Sequence, residues 1–314
     1  MTTLVTGGAG FIGSNLVRHL LEQGERVRVL DDASTGHAEN LDGLDVELVR
    51  GDLRDAGTVR SCVDGVELVY HLGAIPSVAR SVEDPASTHD VNVNGTINVL
   101  RSAGEARVRR VVFASSSAVY GETPGLPRTE DQATTPISPY GASKLAGEAY
   151  CRAFSRVFGL ETVSLRFFNV FGPRQDPASE YASAVPRFVS RLLDGEPPIV
   201  FGDGHQSRDF THVANVVRAC TLAAQAGPGA VGEAINVGCG VRTSVLDLIG
   251  TIAGIVGAEV EPMFAPPRPG DVRDSEASLE KAERLLGYRP AVSVRDGLAD
   301  AVAWFRDRRA AITR

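Results

Sequence analysis

Short apolar runs rich in β-branched residues alternate with longer segments of helical periodicity through the first half of the chain. Apolar positions in "FIGSNLVRHLLEQG" recur at helical spacing, and Gly24 follows them as a helix-terminating glycine would. Helices are also predicted over 92–106 and from Tyr140 to about Phe158. The predicted strands are 2–6, 26–30, 46–50, 66–72, 109–116 and 161–169.

This alternation predicts the α/β class, with a doubly wound parallel sheet covered by helices on both faces. The rhythm breaks after about Phe168, where "NVFGPRQDPASEY" and later "EPMFAPPRPGDVRD" are rich in proline, glycine and charge. Such segments are typical of long functional loops. We therefore predict one domain over 1–168, to which 211–240 returns, and a smaller discontinuous α/β domain over 169–210 and 241–314.

Charge and composition exclude several classes of protein. The 314-residue chain has a net charge of -7 and no Lys/Arg-rich block, which argues against a nucleic-acid-binding surface. Its four cysteines and six histidines lack the spacing of metal ligands, so no metal site is predicted. No basic segment precedes an apolar run at the N-terminus, and no apolar run approaches the roughly 18 to 20 residues of a membrane helix. We expect a cytoplasmic protein that binds neither nucleic acid nor a membrane.

Three glycines follow the first predicted strand and open the helix after it. Gly7, Gly10 and Gly13 have the spacing G-x-x-G-x-x-G, which lets a backbone approach a pyrophosphate at a helix N-terminus. The second strand is followed by Asp31, about 20 residues on, where a carboxylate can bind an adenine-ribose diol and disfavours a 2′-phosphate. "GDLRD" (51–55) follows the third strand and can reach the adenine. Together these features predict binding of NAD rather than NADP.

A tyrosine and a lysine four residues apart begin one predicted helix. Tyr140 and Lys144 share a helix face, and only two of the 32 basic residues, Lys144 and Lys281, are lysines. A tyrosine with an ordinary pKa of roughly 10 is a base near neutral pH only if positive charge stabilises its phenolate. Lysine supplies that charge on a flexible stem that also reaches ribose hydroxyls. A surface pair would have the same spacing, but a lysine in this arginine-rich chain favours the chemical role.

Three serines, Ser115, Ser116 and Ser117, end the fifth predicted strand. The carboxyl ends of strands face the ligand crevice in open α/β sheets, so one of these hydroxyls can hydrogen-bond a reacting alcohol. The alternative is that they satisfy the amides of the following loop. The neighbouring Tyr-Lys pair favours the first role.

Taken together, these segments resemble an extended short-chain dehydrogenase/reductase. "TGGAGFIG", "LDD", "GDLRD", "HLGA", "VNVNGT", "SSSAVYG", "YGASK" and "LRFFNVFGPRQ" match that family in order, and "GDGHQSRDF" and "PRPGDVR" match its C-terminal part. The resemblance covers nearly the whole chain and is greatest to nucleoside-diphosphate-sugar 4-epimerases of the UDP-galactose and UDP-N-acetylhexosamine type. It implies that 1–168 is a Rossmann-type NAD-binding domain and that the smaller domain binds a UDP-sugar.

The resemblance also implies roles for individual positions. The implied catalytic set is Ser116, Tyr140 and Lys144, with Ser116 chosen because it lies four residues before the tyrosine of "VYG". The implied cofactor-binding residues are Gly7, Gly10, Phe11, Ile12, Gly13, Asp31, Asp52, Leu53, Leu72, Gly73, Ala74, Asn92, Tyr140 and Lys144. The implied substrate-binding residues are Ser117, Asn169, Arg208, Arg268 and Ser275. Solvated surface charge is the alternative role for the two arginines, although a guanidinium fork suits phosphate.

The reaction implied by this family is a redox-neutral inversion at C4 of the sugar. Tyr140 takes the proton of the 4-hydroxyl with the help of Ser116 while hydride passes to NAD. The transient 4-keto sugar turns over, hydride returns to its opposite face, and Tyr140 gives the proton back. The nucleotide must stay anchored throughout, which places the binding energy away from the reacting ring.

Three other functions are compatible with the fold. A 4,6-dehydratase of this family has an Asp-Glu pair directly after the catalytic Ser/Thr, where this chain has Ser117 and Ala118. A UDP-glucuronate 4-epimerase or decarboxylase needs only an added carboxylate-binding group, although "NVFGPRQDPASEYASAVPRF" is more similar to the neutral-hexose and N-acetylhexosamine types. A non-catalytic NAD-sensing protein commonly lacks the Tyr or the Lys, and this chain has both.

Substrate size and assembly are also implied by the resemblance. Ser275, four residues after Asp271, matches a position where a large residue excludes an N-acetyl group and a small one admits it. Serine therefore predicts room for UDP-N-acetylglucosamine as well as UDP-glucose, and an ordinary loop serine is the alternative. Family members commonly form homodimers through helices such as those around 92–104 and 141–157.

Overall fold

The computed structural model of this chain describes residues 2–177, 183–259, 261–266 and 272–312. The first half contains β1 (Thr2–Thr6), α1 (Phe11–Glu22), β2 (Arg26–Asp31), β3 (Val46–Arg50), α2 (Ala56–Val63), β4 (Leu68–His71), α3 (Val78–Glu83), α4 (Pro85–His89), α5 (Gly95–Glu105), β5 (Arg110–Ser116), α6 (Pro139–Phe158) and β6 (Glu161–Phe167). The second half contains β7 (Val170–Phe171), α7 (Ala184–Leu193), β8 (Ile199–Phe201), β9 (Ser207–Arg208), β10 (Thr211–His212), α8 (Val213–Gln225), β11 (Glu233–Val237), β12 (Thr243–Ser244), α9 (Val245–Val256), β13 (Met263–Ala265), α10 (Glu280–Leu286) and α11 (Val294–Ile312).

Seven of the strands form one parallel sheet in the order β11-β6-β5-β4-β1-β2-β3. Strand β1 pairs with β2 on one side and with β4 on the other, and both pairs are parallel. The chain therefore reverses its direction of winding beside β1, and such a switch point is where open α/β sheets bind ligands. The predicted fold class, a doubly wound Rossmann-type sheet with a smaller C-terminal α/β part, is confirmed.

Helices cover both faces of the sheet because its central strands are apolar on both sides. In β1, Val5 joins the core under α1 and α8, which includes Leu16 and Val216. The preceding residue, Leu4, joins the opposite core under α2 and α5, which includes Leu100. Alternate strand residues point to opposite faces, so one strand can anchor both helical layers.

A third hydrophobic core lies outside the sheet. Helices α7, α9 and α11 form it through Phe188, Leu248, Ile252, Leu298 and Phe305. Between α7 and α9 the chain returns to the main sheet, since β11 pairs with β6 and α8 packs against β5 and β6. The domain boundaries themselves remain a prediction. Within the described ranges, no helix combines the length and apolar composition needed to cross a membrane.

The predicted strands end within two residues of the observed ones, and the long helices carry the expected terminal signals. Ser138 caps α6 by accepting the N–H of Gly141 at 3.1 Å, and Gly159 ends that helix with a φ of +71°. Gly24 follows α1 with a φ of +76°, as predicted. A π-helical turn over Asp90–Asn94 precedes α5. Strand β11 and the two- and three-residue strands were not predicted, because short segments show little periodicity.

A buried ion pair joins helix α6 to strand β6. The Arg166 guanidinium donates Nε and Nη2 to the two oxygens of Glu148 at 2.9 and 2.8 Å, and both side chains are only 4% exposed. Ser115 donates to the same carboxylate at 2.5 Å, and Arg166 donates to the Tyr120 hydroxyl at 2.9 Å. Burial by itself lowers the pKa of Arg166, but the hydrogen bonds and the charge of Glu148 act in the opposite direction, and the net pKa is raised. The pair fixes the position of α6 on the sheet.

We predict that Glu148→Gln lowers the free energy of unfolding by about 3–5 kcal/mol, because Arg166 then stays enclosed without a counter-ion. Urea-induced unfolding measures the loss. Glu283→Gln is the matched control, since Glu283 pairs with Arg289 on the surface, where such pairs contribute only about 0–1 kcal/mol. Equal losses for the two variants would contradict the importance of the buried pair.

Candidate active site

The turn between β1 and α1 is packed too tightly for side chains. A Cβ added at Gly13 would lie 2.0 Å from the carbonyl oxygen of Gly7, and one at Gly7 would lie 2.7 Å from the Cα of Gly73. Gly7 also has a φ of +71°, which favours glycine. Gly10 is the N-cap of α1, and no side chain at this position caps the N–H groups of the first turn, which are donors suited to an anion. This close-packed cradle fits a pyrophosphate group.

Asp31 lies beside this turn at the end of β2. Its Oδ2 accepts the N–H of Ala9 at 2.9 Å, and its Oδ1 accepts the N–H of Ala33 at 2.8 Å. Burial raises the pKa of Asp31, and the two N–H bonds oppose that rise. The carboxylate is thus fixed at the carboxyl end of the sheet, next to the glycine cradle.

The remaining residues assigned to the cofactor lie at the same end of the sheet. The Arg54 guanidinium binds Asp52 with an Nη2–Oδ2 distance of 2.5 Å, and this hydrogen bond lowers the pKa of Asp52. Leu53 is buried, and its Cδ1 would lie 2.9 Å from a Cβ added at Gly73. Three assigned residues follow β4 directly: Leu72, Gly73 and Ala74.

A chain of hydrogen bonds starts at Gly73 and runs along the carboxyl ends of the central strands β1 and β4. The Gly73 N–H donates to Thr6 Oγ1 at 3.1 Å, and Thr6 Oγ1 lies 2.7 Å from His71 Nδ1. His71 Nε2 lies 2.9 Å from Thr96 Oγ1, which donates its own proton to the carbonyl oxygen of Asn92 at 2.6 Å. Thr96 must therefore accept from His71, so Nε2 carries a proton. If the ring is neutral, Nδ1 is unprotonated and Thr6 donates to it. Burial lowers the pKa of His71 to about 3, in agreement with a neutral ring.

The Asn92 side chain continues this chain to helix α6. Its Oδ1 accepts the N–H of Ile75 at 2.8 Å, and its Nδ2 donates to Ser143 Oγ at 3.0 Å. Ser143 in turn donates to the carbonyl oxygen of Tyr140 at 2.8 Å. Asn92, only 2% exposed, thus ties the loop after β4 to α6, a contact that the sequence did not predict. Its contact with the cofactor remains a prediction.

Ser116 and Tyr140 meet at the carboxyl end of β5. The Ser116 and Tyr140 side chains are hydrogen-bonded, and Ser116 Oγ also accepts the N–H of Ala118 at 3.1 Å. Burial raises the pKa of Tyr140, and the bond with Ser116 opposes that rise. Ser115 lies one position earlier and donates to Glu148 instead. The structure therefore places Ser116, rather than Ser115, beside the tyrosine.

Lys144 follows Tyr140 by one turn on the same face of α6. Its Nζ lies 5.9 Å from the centroid of the Tyr140 ring and donates to the carbonyl oxygen of Ala114 at 2.8 Å. Burial lowers the pKa of Lys144 to about 8, so the side chain is still a cation at neutral pH. An ammonium has three donors, and one is used by Ala114 in the described part of the chain. The other two remain for a ligand.

A cavity of about 1000 Å³ opens between the carboxyl end of the sheet and the C-terminal part of the chain. Its wall contains the following predicted site residues: Phe11, Ile12, Ser116, Ser117, Tyr140, Asn169, Arg208 and Ser275. Lys144 is not among the residues of this wall, although Tyr140, one turn before it on the same helix, is. The structure thus brings Ser116 and Tyr140 to one space with those predicted substrate-binding residues that it describes.

The substrate-binding residues come from loops that are distant in sequence. Asn169 donates from Nδ2 to Ser275 Oγ at 3.2 Å. The Arg208 guanidinium is oriented by a bond from Nη1 to the carbonyl oxygen of Arg273 at 2.8 Å. The remaining predicted residue, Arg268, lies outside the described residues.

Two further arginines on the cavity wall were missed by the sequence analysis. They are Arg128 and Arg187, and the Arg187 guanidinium lies 5.7 Å from the centroid of the Phe201 ring. Neither belongs to a short motif with a chemical meaning, so the sequence offered no signal for them. Only long-range contacts bring them to the cavity.

Comparison with known proteins agrees with this geometry. A sequence model of the NAD dependent epimerase/dehydratase family matches residues 3–238. A UDP-glucose 4-epimerase of Mycolicibacterium smegmatis is 44% identical to this chain over 314 residues, which cover 98% of this chain and 99% of that relative. The similarity therefore extends well beyond the short motifs.

Two solved structures share the whole fold. The UDP-glucose 4-epimerase of Thermotoga maritima, solved with UDP-glucose, has a TM-score of 0.94 and 39% identity and covers 98% of this chain and 99% of its own. The UDP-N-acetylglucosamine 4-epimerase of Methanobrevibacter ruminantium, solved with UDP-N-acetylmuramic acid, has a TM-score of 0.93 and 34% identity and covers 98% of both chains.

We predict that Gly13→Ala weakens NAD binding roughly 10-fold or more and destabilises the fold by about 1–3 kcal/mol, because the added methyl group overpacks the cradle. Isothermal titration with NAD and urea-induced unfolding measure the two effects. Gly104→Ala in α5 is the control, since a Cβ there meets nothing within 4 Å. Alanine should stabilise that helix by up to about 1 kcal/mol. If Gly13→Ala changed neither NAD binding nor the free energy of unfolding, the assignment of this turn to the pyrophosphate would be wrong.

Proposed function

Because this chain belongs to the NAD dependent epimerase/dehydratase family, we propose that it is an NAD-dependent 4-epimerase of UDP-sugars. The proposed substrate pairs are UDP-glucose with UDP-galactose and UDP-N-acetylglucosamine with UDP-N-acetylgalactosamine. The observation that carries the proposal is the joint position of Ser116, Tyr140 and Lys144 at one side of the cavity. The relatives described above act, by name, on sugar nucleotides of this kind.

NAD would be held along the carboxyl end of the sheet. The glycine cradle suits its pyrophosphate, Asp31 suits the diol of its adenine ribose, and the free N–H donors of Lys144 suit the other ribose. When bound there, NAD supplies the acceptor, and later the donor, of the hydride at sugar C4. The tight packing of Gly13 against Gly7 supports this assignment, because a side chain at either position would displace the backbone that forms the cradle.

Tyr140 is the group that holds and moves the proton. Lowering its pKa from roughly 10 to near 7 requires about 4 kcal/mol of preferential stabilisation of the phenolate. Burial raises the pKa of Tyr140, and the Ser116 hydroxyl opposes that rise. The Lys144 cation, 5.9 Å from the centroid of the Tyr140 ring, would supply the further stabilisation that the proposal requires. Tyr140 then takes the 4-hydroxyl proton and returns it to the oxygen of the 4-keto sugar after the sugar has turned.

The sugar must turn while its nucleotide stays in place. Arg208, fixed by the carbonyl oxygen of Arg273, presents a guanidinium that suits the diphosphate. Asn169 and Ser275 form the wall near the sugar, and the small Ser275 side chain leaves room for an N-acetyl group. Strong binding of the diphosphate and weak binding of the sugar permit the rotation.

Dehydration is the second reaction that the family description includes. It requires removal of a proton from C5 and loss of the 6-hydroxyl, which calls for an acid–base pair beside the sugar. The residues after Ser116 are Ser117 and Ala118, which form a short 3₁₀ turn up to Val119 and carry no carboxylate. Epimerisation needs no carboxylate at this turn.

We place the enzyme in the cytoplasm. Its cysteines, Cys62, Cys151, Cys220 and Cys239, are all free thiols. Free thiols are typical of reducing compartments, where disulfides are rare.

The proposal predicts redox-neutral turnover. Purified protein with NAD should convert UDP-glucose to UDP-galactose, and UDP-N-acetylglucosamine to its 4-epimer, at constant total sugar nucleotide and without net accumulation of NADH. Proton NMR and absorbance at the NADH band measure these quantities. A 4-keto-6-deoxy product would refute epimerisation. Turnover of UDP-glucose but not of the N-acetyl substrate would refute the inference from Ser275.

We predict that Lys144→Met lowers kcat for UDP-glucose by about 100-fold or more, since the tyrosine base loses its tuning cation. Lys281→Met is a matched control, because Lys281 pairs with Glu233 far from the cavity wall. Its kcat should stay within about 2-fold, as surface pairs contribute little. Similar losses in both variants would show that Lys144 has no special role.

We also propose that the enzyme is a homodimer paired through α5 and α6. Helix α6 exposes Tyr150, Val157 and Phe158, with Val157 71% and Phe158 67% exposed. Such apolar side chains are typical of an interface. Light scattering after size-exclusion chromatography should show a dimer that Phe158→Glu converts to a monomer. Phe264→Glu, an exposed control on β13, should leave the dimer intact.

A further inference from the structure

A second cavity lies outside the active site, between α1, the 3₁₀ turn over Ala38–Leu41 and α11. Its volume is about 370 Å³, and none of its lining residues lines the active-site cavity. The less exposed part of its wall consists of Arg18, Asn40, Arg174 and Trp304. The exposed part consists of Glu39, Asp307 and Arg308. The enclosed part is therefore cationic, whereas both carboxylates lie where water reaches them.

The two arginines of the enclosed part are anchored side by side. Arg18 donates from Nη2 to the carbonyl oxygen of Asn40 at 2.9 Å, and Arg174 donates from Nη1 to Asn15 Oδ1 at 2.7 Å. Asn15 and Arg18 are three residues apart on α1, so they lie on one side of that helix. Burial lowers the pKa of Arg174, and the positive charge of Arg18 lowers it further. The two guanidiniums are therefore close enough to repel each other.

Nearby carboxylates do not neutralise this pair of cations. Asp300 and Glu22 act to raise the pKa of Arg174, but the net pKa is lowered. Asp300 lies 3.1 Å from His212 Nε2 instead. Within the described residues, neither Arg18 nor Arg174 forms an ion pair. Partly buried cations of like charge are unfavourable without an anion, which indicates that an anionic ligand completes the cavity.

The free donors of the two arginines suit a phosphoryl group. In the described part of the chain, Arg18 Nη1 and Arg174 Nε and Nη2 are accessible and have no hydrogen-bond partner. A phosphoryl group has several acceptor oxygens and up to two negative charges, which match two guanidiniums. A water molecule takes about 30 Å³, so the cavity also has room for the rest of a small metabolite. The ring of Trp304 offers that part an apolar surface.

The anchors of both arginines also bind the turn that forms the glycine cradle. Asn40 donates from Nδ2 to the carbonyl oxygen of Ala9 at 2.9 Å, and Asn15 donates from Nδ2 to that of Phe11 at 2.8 Å. The N–H of Ala9 in turn donates to Asp31 at 2.9 Å. An anion that holds the two guanidiniums in place would therefore stabilise the turn that binds NAD.

We propose that this cavity is an accessory site for the phosphoryl group of a small metabolite, bound between Arg18 and Arg174, and that its occupancy strengthens NAD binding. The site is separate from the cavity assigned to the UDP-sugar, and its existence does not depend on the reaction proposed above. Because coupling between two binding sites is reciprocal, NAD must strengthen the binding of the phosphoryl group by the same factor.

Isothermal titration of the NAD-loaded enzyme with inorganic phosphate, at constant ionic strength, is the first test. Wild type should bind phosphate, and Arg18→Gln should weaken that binding about 10- to 100-fold, the range for hydrogen bonds to charged groups. Arg60→Gln is the control, because Arg60 pairs with Glu105 on the surface of α2, and it should leave the binding unchanged. Failure of wild type to bind phosphate, or equal binding by Arg18→Gln, would overturn the proposal. Should Arg18→Gln fail to fold, Arg174→Gln must show the same loss.

Two further arms identify the place and the source of the anion. Loss of phosphate binding in Arg208→Gln, with binding retained in Arg18→Gln, would place the anion in the active site and overturn the proposal. Titration with AMP instead of phosphate distinguishes a nucleotide from the free ion. Tighter binding of AMP that Trp304→Leu abolishes would identify a nucleotide as the ligand, whereas equal affinities would identify free phosphate.

The coupling to the cofactor is tested by titrating NAD into the NAD-free enzyme, in phosphate and in chloride at equal ionic strength. Phosphate should strengthen NAD binding about 5-fold in wild type and have no such effect in Arg18→Gln. A purely structural role of Arg18 would change NAD binding equally in both salts. Weaker NAD binding in phosphate for both enzymes would show competition at the cradle and refute the coupling. Epimerisation of UDP-glucose by an enzyme that binds no phosphate would refute this inference and leave the proposed function standing.

Discussion

The site depends on a continuous hydrogen-bond chain between the cofactor end of the sheet and the helix that carries Tyr140. At the carboxyl end of the sheet, Thr6 donates to neutral His71, His71 donates to Thr96, and Thr96 donates to the backbone of Asn92. The Asn92 side chain continues the chain to α6. Each donor in this chain has an acceptor, so a charged His71 would have to donate into Thr6 and reverse one link. The low pKa of His71 keeps the chain in one arrangement at neutral pH. Tyr140 is thereby positioned relative to the glycine cradle.

Helix α6 presents three different functions along one face. Tyr140 lies at the cavity, Lys144 one turn deeper, and Glu148 one turn deeper still, where it pairs with Arg166. The i, i+4 spacing makes this possible because such residues are stacked on one side of a helix. The Glu148–Arg166 pair is enclosed and neutral as a unit, and it also engages Ser115. Because Ser115 donates to Glu148, Ser116 is the serine that interacts with Tyr140.

Much of this architecture could be predicted from the sequence because its signals are local. Alternating strand and helix periods, the glycine spacing and the Tyr140–Lys144 spacing all lie within short windows. The part that could not be predicted depends on contacts between distant segments. Asn92 was assigned to the cofactor, but the protein contacts that engage its amide come from 75 and 143, and Arg128 reaches the cavity through pairing with 276–278. No local pattern encodes such contacts.

The preference for lysine at position 144 follows from the number of acceptors in the slot. The buried Arg110 and Arg166 are each surrounded by several oxygen acceptors, which a guanidinium with five donors requires. The slot of Lys144 offers one carbonyl oxygen, that of Ala114, beside the aromatic ring of Phe113. An ammonium is satisfied there once a ligand supplies two hydroxyls, whereas a guanidinium would keep unpaired donors. Arg128 is the exception among the buried arginines, since its guanidinium donates to one carbonyl oxygen, that of Gly125, within the described residues.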